Sequence, residues 1–423
     1  RVLNEPSDGN MRLTSDTHQL TLDRALAERW RARFGASYKQ STFDGNYTEA
    51  TSLAADNRTL NRQATWRQLP SRDVSVQAEV EGGFDTGGVG HTLLVGAEAS
   101  RLWMNTEILR SVNTPLDIHN PVYGAAAPAP TTRTSSSDER QRVKALFAQD
   151  QLALSARWKL LAGLRWDQYE QDIDNRVART ATTKRQSAVS PRAGLTFLPN
   201  EWSSLYVSAA KSFRGNSGTD INGNPFEPQR STSYEAGWKL QTLDQRLGAN
   251  VAVYDIAKTN VLTASDVPGY SVAAGKVKSS GAEADVYGQI DGHWRVSGNL
   301  SWDDARVAKD GTLAAGARLM NVPKRSAGLL AIREAVLDNG GRYGVGGGIN
   351  HVGGRAGNTA DTYTLPAYTT AKLVAYWQID KAVRLSLDVH NLFNRDYYTA
   401  SWGNLYVTPG AARSVVARLK IEL

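Results

Sequence analysis

The residue types that carry covalent or metal chemistry are present in this chain, but not at working spacings. The six histidines, His18, His91, His119, His293, His351 and His390, are dispersed without metal-ligand intervals. His119 reads as an ordinary exposed loop residue. There is no cysteine, so thiolate ligation and a disulfide framework are both excluded. Gly344-x-Gly346 is followed by Ile349 where a dinucleotide fingerprint needs glycine, and it lies on a strand pattern that opens no helix. The stretch GKVKSS (275–280) is no phosphate loop. No enzyme is indicated, and no metal site or cofactor. What the chain does gather is aromatic rings: Tyr397, Tyr398, Trp402 and Tyr406 crowd one segment between two strands. Rigid rings give contact area at low entropy cost, which suits non-covalent capture of a ligand. Each ring also has a plain structural use in packing its own loop.

The elements that must hold these rings are strands. In the last segment Val415, Ala417, Leu419, Ile421 and Leu423 alternate with polar residues, with Val416 out of pattern. Val383, Leu385, Leu387 and Val389 do the same before it. Such alternation puts the apolar side chains on one sheet face. Seventeen segments follow this rule, at roughly 15–24, 28–41, 59–82, 90–104, 139–154, 157–172, 185–198, 202–213, 230–242, 246–258, 276–290, 293–305, 320–336, 341–354, 364–379, 382–397 and 411–423. The segment 59–82 is taken as one strand bent near Pro70. In two segments the apolar face begins and ends in tryptophan, Trp158 to Trp166 and Trp294 to Trp302. About nine to eleven tilted residues cross a bilayer's apolar core, and an aromatic at each end is what two interfacial girdles look like. A soluble sandwich with tryptophan at its edges is the alternative. The expected class is all-β: a transmembrane antiparallel β-barrel, in which Glu235, Arg165, Asp167 and Glu283 face a polar lumen and Gly163 and Gly237 make room beside Trp166 and Trp238.

The connections alternate between short, such as 25–27, 155–156 and 291–292, and long: 42–58, 105–138, 173–184, 214–229, 259–275, 306–319, 355–363 and 398–410. Outer-membrane barrels have short periplasmic turns and longer extracellular loops. The last strand therefore runs outside to inside. Seventeen is odd where bacterial barrels are even, so a complete barrel of about 22 strands would place about five more, with a plug domain and a signal peptide, before Arg1.

Composition agrees. The chain has 423 residues, with 11 Trp and 16 Tyr against 8 Phe, and rings with a polar tip collect at membrane interfaces. Mean hydropathy is −0.43, with no run of about 18 apolar residues, so a helical membrane protein is excluded. The net charge of +7 is scattered singly along strands, without the basic run or recognition helix of a nucleic-acid binder.

"NLFNRDYY" (391–398), "TPGAARS" (408–414) and the closing strand resemble the end of TonB-dependent outer-membrane receptors of the ferric-siderophore branch. Further stretches resemble it in order and spacing, among them "GVGHTLLVGAEAS" (88–100), "LDIHNPVYG" (116–124), "SLYVSAAKSFR" (204–214) and "YEAGWKL" (234–240). The resemblance implies residues 1–423 as the C-terminal part of such a barrel in the bacterial outer membrane. It further implies a monomer surrounded by outer-membrane lipid. Its work would be import of a ferric siderophore, of the hydroxamate type, energised by the TonB–ExbB–ExbD complex acting on a TonB box. The ligand candidates are then Trp402, Tyr406, Tyr397, Tyr398, Tyr270, Phe226 and Tyr123 in the loops, with Arg214 as partner for an anionic chelate. A passive porin of about 18 strands, or a receptor for cobalamin, haem or a glycan, are the alternatives. One departure is Leu423, where the family usually ends in an aromatic.

Overall fold

The computed structural model describes residues 5, 8–125, 128–242, 244–264, 271–311, 313–338 and 340–422. All seventeen expected strands are there: Arg12–Ala27 (β1), Trp30–Leu53 (β2), Thr59–Thr86 (β3), Val89–Asp117 (β4), Thr132–Ala153 (β5), Trp158–Asn175 (β6), Thr180–Asn200 (β7), Ser203–Arg214 (β8), Gln229–Gln241 (β9), Leu247–Ala264 (β10), Ser271–Gln289 (β11), Trp294–Lys309 (β12), Arg325–Val336 (β13) and Arg342–Val352 (β14), then Tyr368–Gln378, Val383–His390 and Ser414–Ile421. Each pairs antiparallel with the next wall strand, giving one 17-stranded meander. Among the described residues the first and last strands do not pair with each other. No helix is long and apolar enough to cross a membrane, which says nothing of strands.

Residues directly opposite in a ladder share a face, so the register fixes the facing of the whole sheet. Leu300 stands opposite Ala284 and Ala327, and Asn299 opposite Asp285 and Gly328. The face carrying Leu300 also carries Trp158, Leu164, Trp166, Val253, Trp302, Leu373 and Leu419, all exposed. The other face carries charge, tied across strands. Arg33 meets Asp23 at 2.8 Å and Glu79 at 3.5 Å. Arg165 meets Glu98 and Asp167, both at 2.9 Å, and Arg418 meets Asp388 at 2.6 Å. Glu235 accepts the Tyr206 hydroxyl at 2.5 Å. Glu283, between Ala252 and Ser301, points the same way.

Two expectations about glycine are corrected by this facing. Neighbours of opposite parity in a strand point to opposite faces, so neither Gly163 nor Gly237 shares a face with its tryptophan. A Cβ at Gly163 would lie 2.9 Å from Arg192 Nε, and one at Gly237 2.5 Å from the Tyr206 ring. The room is made on the charged face, for polar side chains that lean across.

The connections keep their alternation, but two expected long loops are strand. β2 runs to Leu53 and leaves only 54–58, and β6 and β7 leave only 176–179. The wall rises well past the membrane there, and its polar residues satisfy the ladder on both neighbours. β3 is a single strand, as expected; at Pro70 it keeps register with β2, where Thr42 faces Pro70 and Ser41 faces Ser71, while on the β4 side the ladder skips Leu69 and Pro70. Opposite the tall end, β3 and β4 join through Gly87–Gly88, with φ of 57° and 85°, the two left-handed residues of a tight hairpin turn.

Candidate ligand-binding site at the extracellular mouth

The segment 391–413 owes its shape to asparagine. Asn391 and Asn394 adopt φ of 46° and 50°, a region asparagine tolerates better than most residues. The Asn391 side-chain amide donates to Arg395 O at 2.9 Å and Ala411 O at 3.0 Å, which ties both ends of the loop together. The Asn394 oxygen accepts the Arg413 N–H at 2.8 Å.

From that base the loop locks onto two neighbours, 310–324 and 353–367. Asn321 and Ser401 exchange two hydrogen bonds, each of 2.8 Å. The Tyr363 hydroxyl donates to Gly403 O at 2.7 Å, and Asn358 to Asn404 at 2.6 Å. Arg355, 1 % exposed, donates to the Tyr398 carbonyl and lies over the Tyr368 ring at 5.4 Å. Arg318 pairs with Asp361 at 2.8 Å, and that hydrogen bond holds the Asp361 carboxyl below its usual range. A satisfied buried polar network of this kind rigidifies what it joins.

Tyr406 carries the loop further across. Its hydroxyl donates to Ala50 O at 3.1 Å and accepts the Ala50 N–H at 2.5 Å. With Leu405 and Ile118 its ring covers the small buried cluster Ala50, Leu60 and Leu116. Burial raises its hydroxyl pKa.

Just beside it, β2, β3 and β4 turn a charge cluster to the inner face. Arg67 and Arg110 approach one carboxylate, Glu49, at 3.3 Å and 3.6 Å. Glu49 also accepts Gln63 at 2.6 Å and the Tyr47 hydroxyl. The Arg67 guanidinium lies 4.3 Å from the Tyr47 ring centre. The Nε atoms of both arginines are buried without an acceptor, and burial with the like charge of Arg110 lowers the Arg67 pKa. Two cations on one carboxylate leave a net positive, ring-backed surface suited to an anion.

The sequence candidates fall into two groups. Tyr397, Tyr398, Trp402 and Tyr406 share the locked loop. The Tyr397 ring packs against Tyr368, tilted by 39° with centres 4.4 Å apart, and lines an inner-face cleft of about 380 Å³ with Asn299, Asn350, Lys372 and His390. Trp402 is 73 % exposed at the tip. Phe226 belongs to 215–228 and Arg214 ends the strand that leads into it; that loop is held elsewhere by Glu139, Gln171 and Lys184. Phe226 is buried in that loop, and Arg214 is exposed at the top of β8. Tyr123 is partly exposed in 118–131; Tyr270 and Leu423 lie outside the described residues. Arg67, Arg110 and Glu49 went unremarked in the sequence. Following the alternation within 59–82 from Glu79 down to position 67 would have placed Arg67 on the inner face.

The family model for the TonB dependent receptor-like beta-barrel matches residues 2–392. The chain belongs to the TonB-dependent receptor β-barrel family. Its meander is therefore the wall of a transmembrane barrel in the outer membrane, with long loops outside and short turns in the periplasm. Among curated relatives, the metal-pseudopaline receptor CntO of Pseudomonas aeruginosa (strain UCBPP-PA14) is 37% identical over 436 residues, covering 100% of this chain and 61% of that protein. The ferrioxamine B receptor of Salmonella typhimurium (strain LT2) is 27% identical over 364 residues, 84% of this chain and 51% of that one. The chain thus spans about 61% and 51% of the length of these two relatives. The crystal structure of the siderophore receptor PiuA from Acinetobacter baumannii superposes with a TM-score of 0.84 at 23% identity, over 97% of this chain and 64% of that one, a likeness of fold. These TonB-dependent relatives are receptors, as expected of a chain that is not an enzyme.

Proposed function

We propose that this chain forms the wall and mouth of a receptor that captures a metal–chelate complex outside the cell and imports it with energy from the TonB–ExbB–ExbD complex. The observation that carries this reading is the 37% identity to a metal-pseudopaline receptor along the whole chain. The mouth supports it: a pre-formed aromatic loop stands beside an inner-face pair of arginines that share one carboxylate. That arrangement favours an anionic chelate over a neutral one. A metal–pseudopaline complex is accordingly preferred to the ferric hydroxamate expected from the sequence. A plug and further strands preceding Arg1 belong to the same reading, as does a monomer without a resident cofactor. Of the sequence candidates, Trp402, Tyr398, Tyr397 and Tyr123 are kept as ligand contacts. Tyr406 and Phe226 support the loops, and Arg67 and Arg110 take the role first given to Arg214.

The test uses the complete gene in a Gram-negative host deleted for its own receptors. Uptake of radiolabelled metal as the pseudopaline, ferrioxamine B or ferrichrome complex is followed with and without the coupling protein. Coupling-dependent uptake of metal–pseudopaline, reduced at least about tenfold when Arg67 and Arg110 are both glutamine, is expected. Uptake that persists without the coupling protein would leave a passive pore. Uptake of ferrioxamine B alone would return the substrate to the hydroxamate class.

A further inference from the structure

The charge cluster of the mouth holds one carboxylate where its donors call for two. The Glu49 side chain is 18 % exposed, and neutral donors hold it closely. Gln63 Nε2 donates to one oxygen at 2.6 Å and the Tyr47 hydroxyl to the other. Thr65, fully buried, adds a third donor at 3.4 Å. The two guanidinium groups stand further off, Arg67 at 3.3 Å and Arg110 at 3.6 Å. A cation that hydrogen-bonds a carboxylate well comes to about 2.7–2.9 Å. Neutral donors thus fill the near positions, and the arginines supply charge with little direct bonding.

Both arginines are fixed from behind. The Arg67 guanidinium lies 4.3 Å from the Tyr47 ring centre and 5.6 Å from that of Phe43. Arg110 donates to Thr134 Oγ1 at 2.8 Å. A guanidinium carries its donors in a rigid fork and takes a carboxylate by two of them. Here the Nε of each fork is buried without an acceptor, an unfavourable state that a further acceptor relieves. Charge gives the same count, since two cations against Glu49 leave one positive charge over.

We infer that Glu49 is a specificity-determining residue: a resident carboxylate that leaves the two-arginine site room for one further carboxylate and turns away a chelate that brings two. This deepens the capture site proposed above and rests on that reading for its cargo. A complex presenting a single carboxylate completes the forks and brings the site to neutrality. A second carboxylate on the same face of the complex meets Glu49 with no cation left to offset it, and like charges so placed oppose binding. Gln63 and Tyr47 keep the resident acid from swinging aside.

The full-length receptor, purified in detergent, is titrated by quenching of its tryptophan fluorescence. The probes are ferric citrate, a polycarboxylate complex, and ferrioxamine B, a hydroxamate complex without a carboxylate. Glu49→Gln keeps the shape and removes the charge. Its affinity for ferric citrate is expected to rise about tenfold, while that for ferrioxamine B stays within about twofold. Adding Arg67→Gln to that variant is expected to cancel the gain. Gln63→Glu sets a second acid beside the first and is expected to lower ferric citrate affinity about tenfold, so a Glu49 variant that fails to assemble still leaves a decision. Heat-modifiable gel migration confirms assembly of each. Unchanged or weakened ferric citrate binding in assembled Glu49→Gln, a gain that survives the loss of Arg67, or an assembled Gln63→Glu that binds ferric citrate as wild type does, overturns the proposal. The readout is binding at the mouth and not transport. A chain that proved a passive pore would refute the function proposed above and leave these affinity ratios to decide the role of Glu49 by themselves.

Discussion

The membrane-crossing wall and the extracellular mouth are built on opposite terms. In the wall, one period organises everything: alternate residues meet lipid, and the rest meet a wet lumen where Arg165, Glu98 and Asp167 neutralise one another. Continuous backbone ladders hold it. In the mouth, segments distant in sequence meet, such as Ala50 with Tyr406 and Asn321 with Ser401. Specific side chains hold them there. A barrel can therefore keep its wall while its mouth diverges, which is where a receptor chooses its ligand.

The sharpest way to break the comparison is to reverse the sides of one strand. Leu300→Arg places a charge against lipid near midplane, at about 2–4 kcal/mol, and is expected to block assembly. Asn299→Arg, one residue away but facing the lumen cleft, is expected to assemble. Heat-modifiable migration and outer-membrane yield decide it. Equal behaviour of the two would remove the facing argued for the whole sheet.

The next effect belongs to the mouth. Arg355→Met keeps the volume but removes donors to the Tyr398 and Gly353 carbonyls. Hydrogen bonds to a charged group contribute about 1.5–3 kcal/mol each. Amide exchange in 398–407 is expected to rise at least about tenfold while exchange in the wall is unchanged. A rise in the wall as well would show that mouth and wall are one cooperative unit.

The same contrast explains what was legible beforehand. All seventeen strands and the short-turn, long-loop rhythm could be read because lipid and lumen impose a period of two wherever the wall crosses. Above the girdle that pressure ends. The strand tops in 42–53, 105–117 and 180–184 carry threonine, serine and charge on both faces, so they read as loop although they pair as strand. In "NLFNRDYY" the pattern was visible, but not that Asn391 is the part that closes the loop. Tyr406 was read as a ring for a ligand, and its hydroxyl is committed to Ala50, a partner 356 residues away that no local pattern reveals.

Tyr406→Phe sharpens that last point with a smaller effect. The ring still covers Leu60 and Leu116, but the hydrogen bonds to Ala50 are lost, about 0.5–1.5 kcal/mol. Exchange of the Ala50 amide is expected to quicken by about tenfold or less, with ligand uptake nearly unchanged. A large loss of uptake would restore Tyr406 as a ligand contact.

The smallest effect is a pH dependence confined to the mouth. Asp361 is held below its usual range chiefly by its hydrogen bond with Arg318. A carboxyl depressed in the folded state contributes stability that is fully present above its unfolded value, about pH 4, and lost as pH falls through the lower folded value. The Arg318 amide donates to the same carboxylate at 3.1 Å, so its exchange protection reports the pair. Relative to wall amides, that protection is expected to hold from neutral pH down to about 4 and to decline below it. In Asp361→Asn the decline should vanish, because an amide cannot titrate there. A loss that begins well above pH 4, or one shared by the β12 and β13 ladder, would mean that another group controls the mouth and that the Arg318–Asp361 pair only follows it.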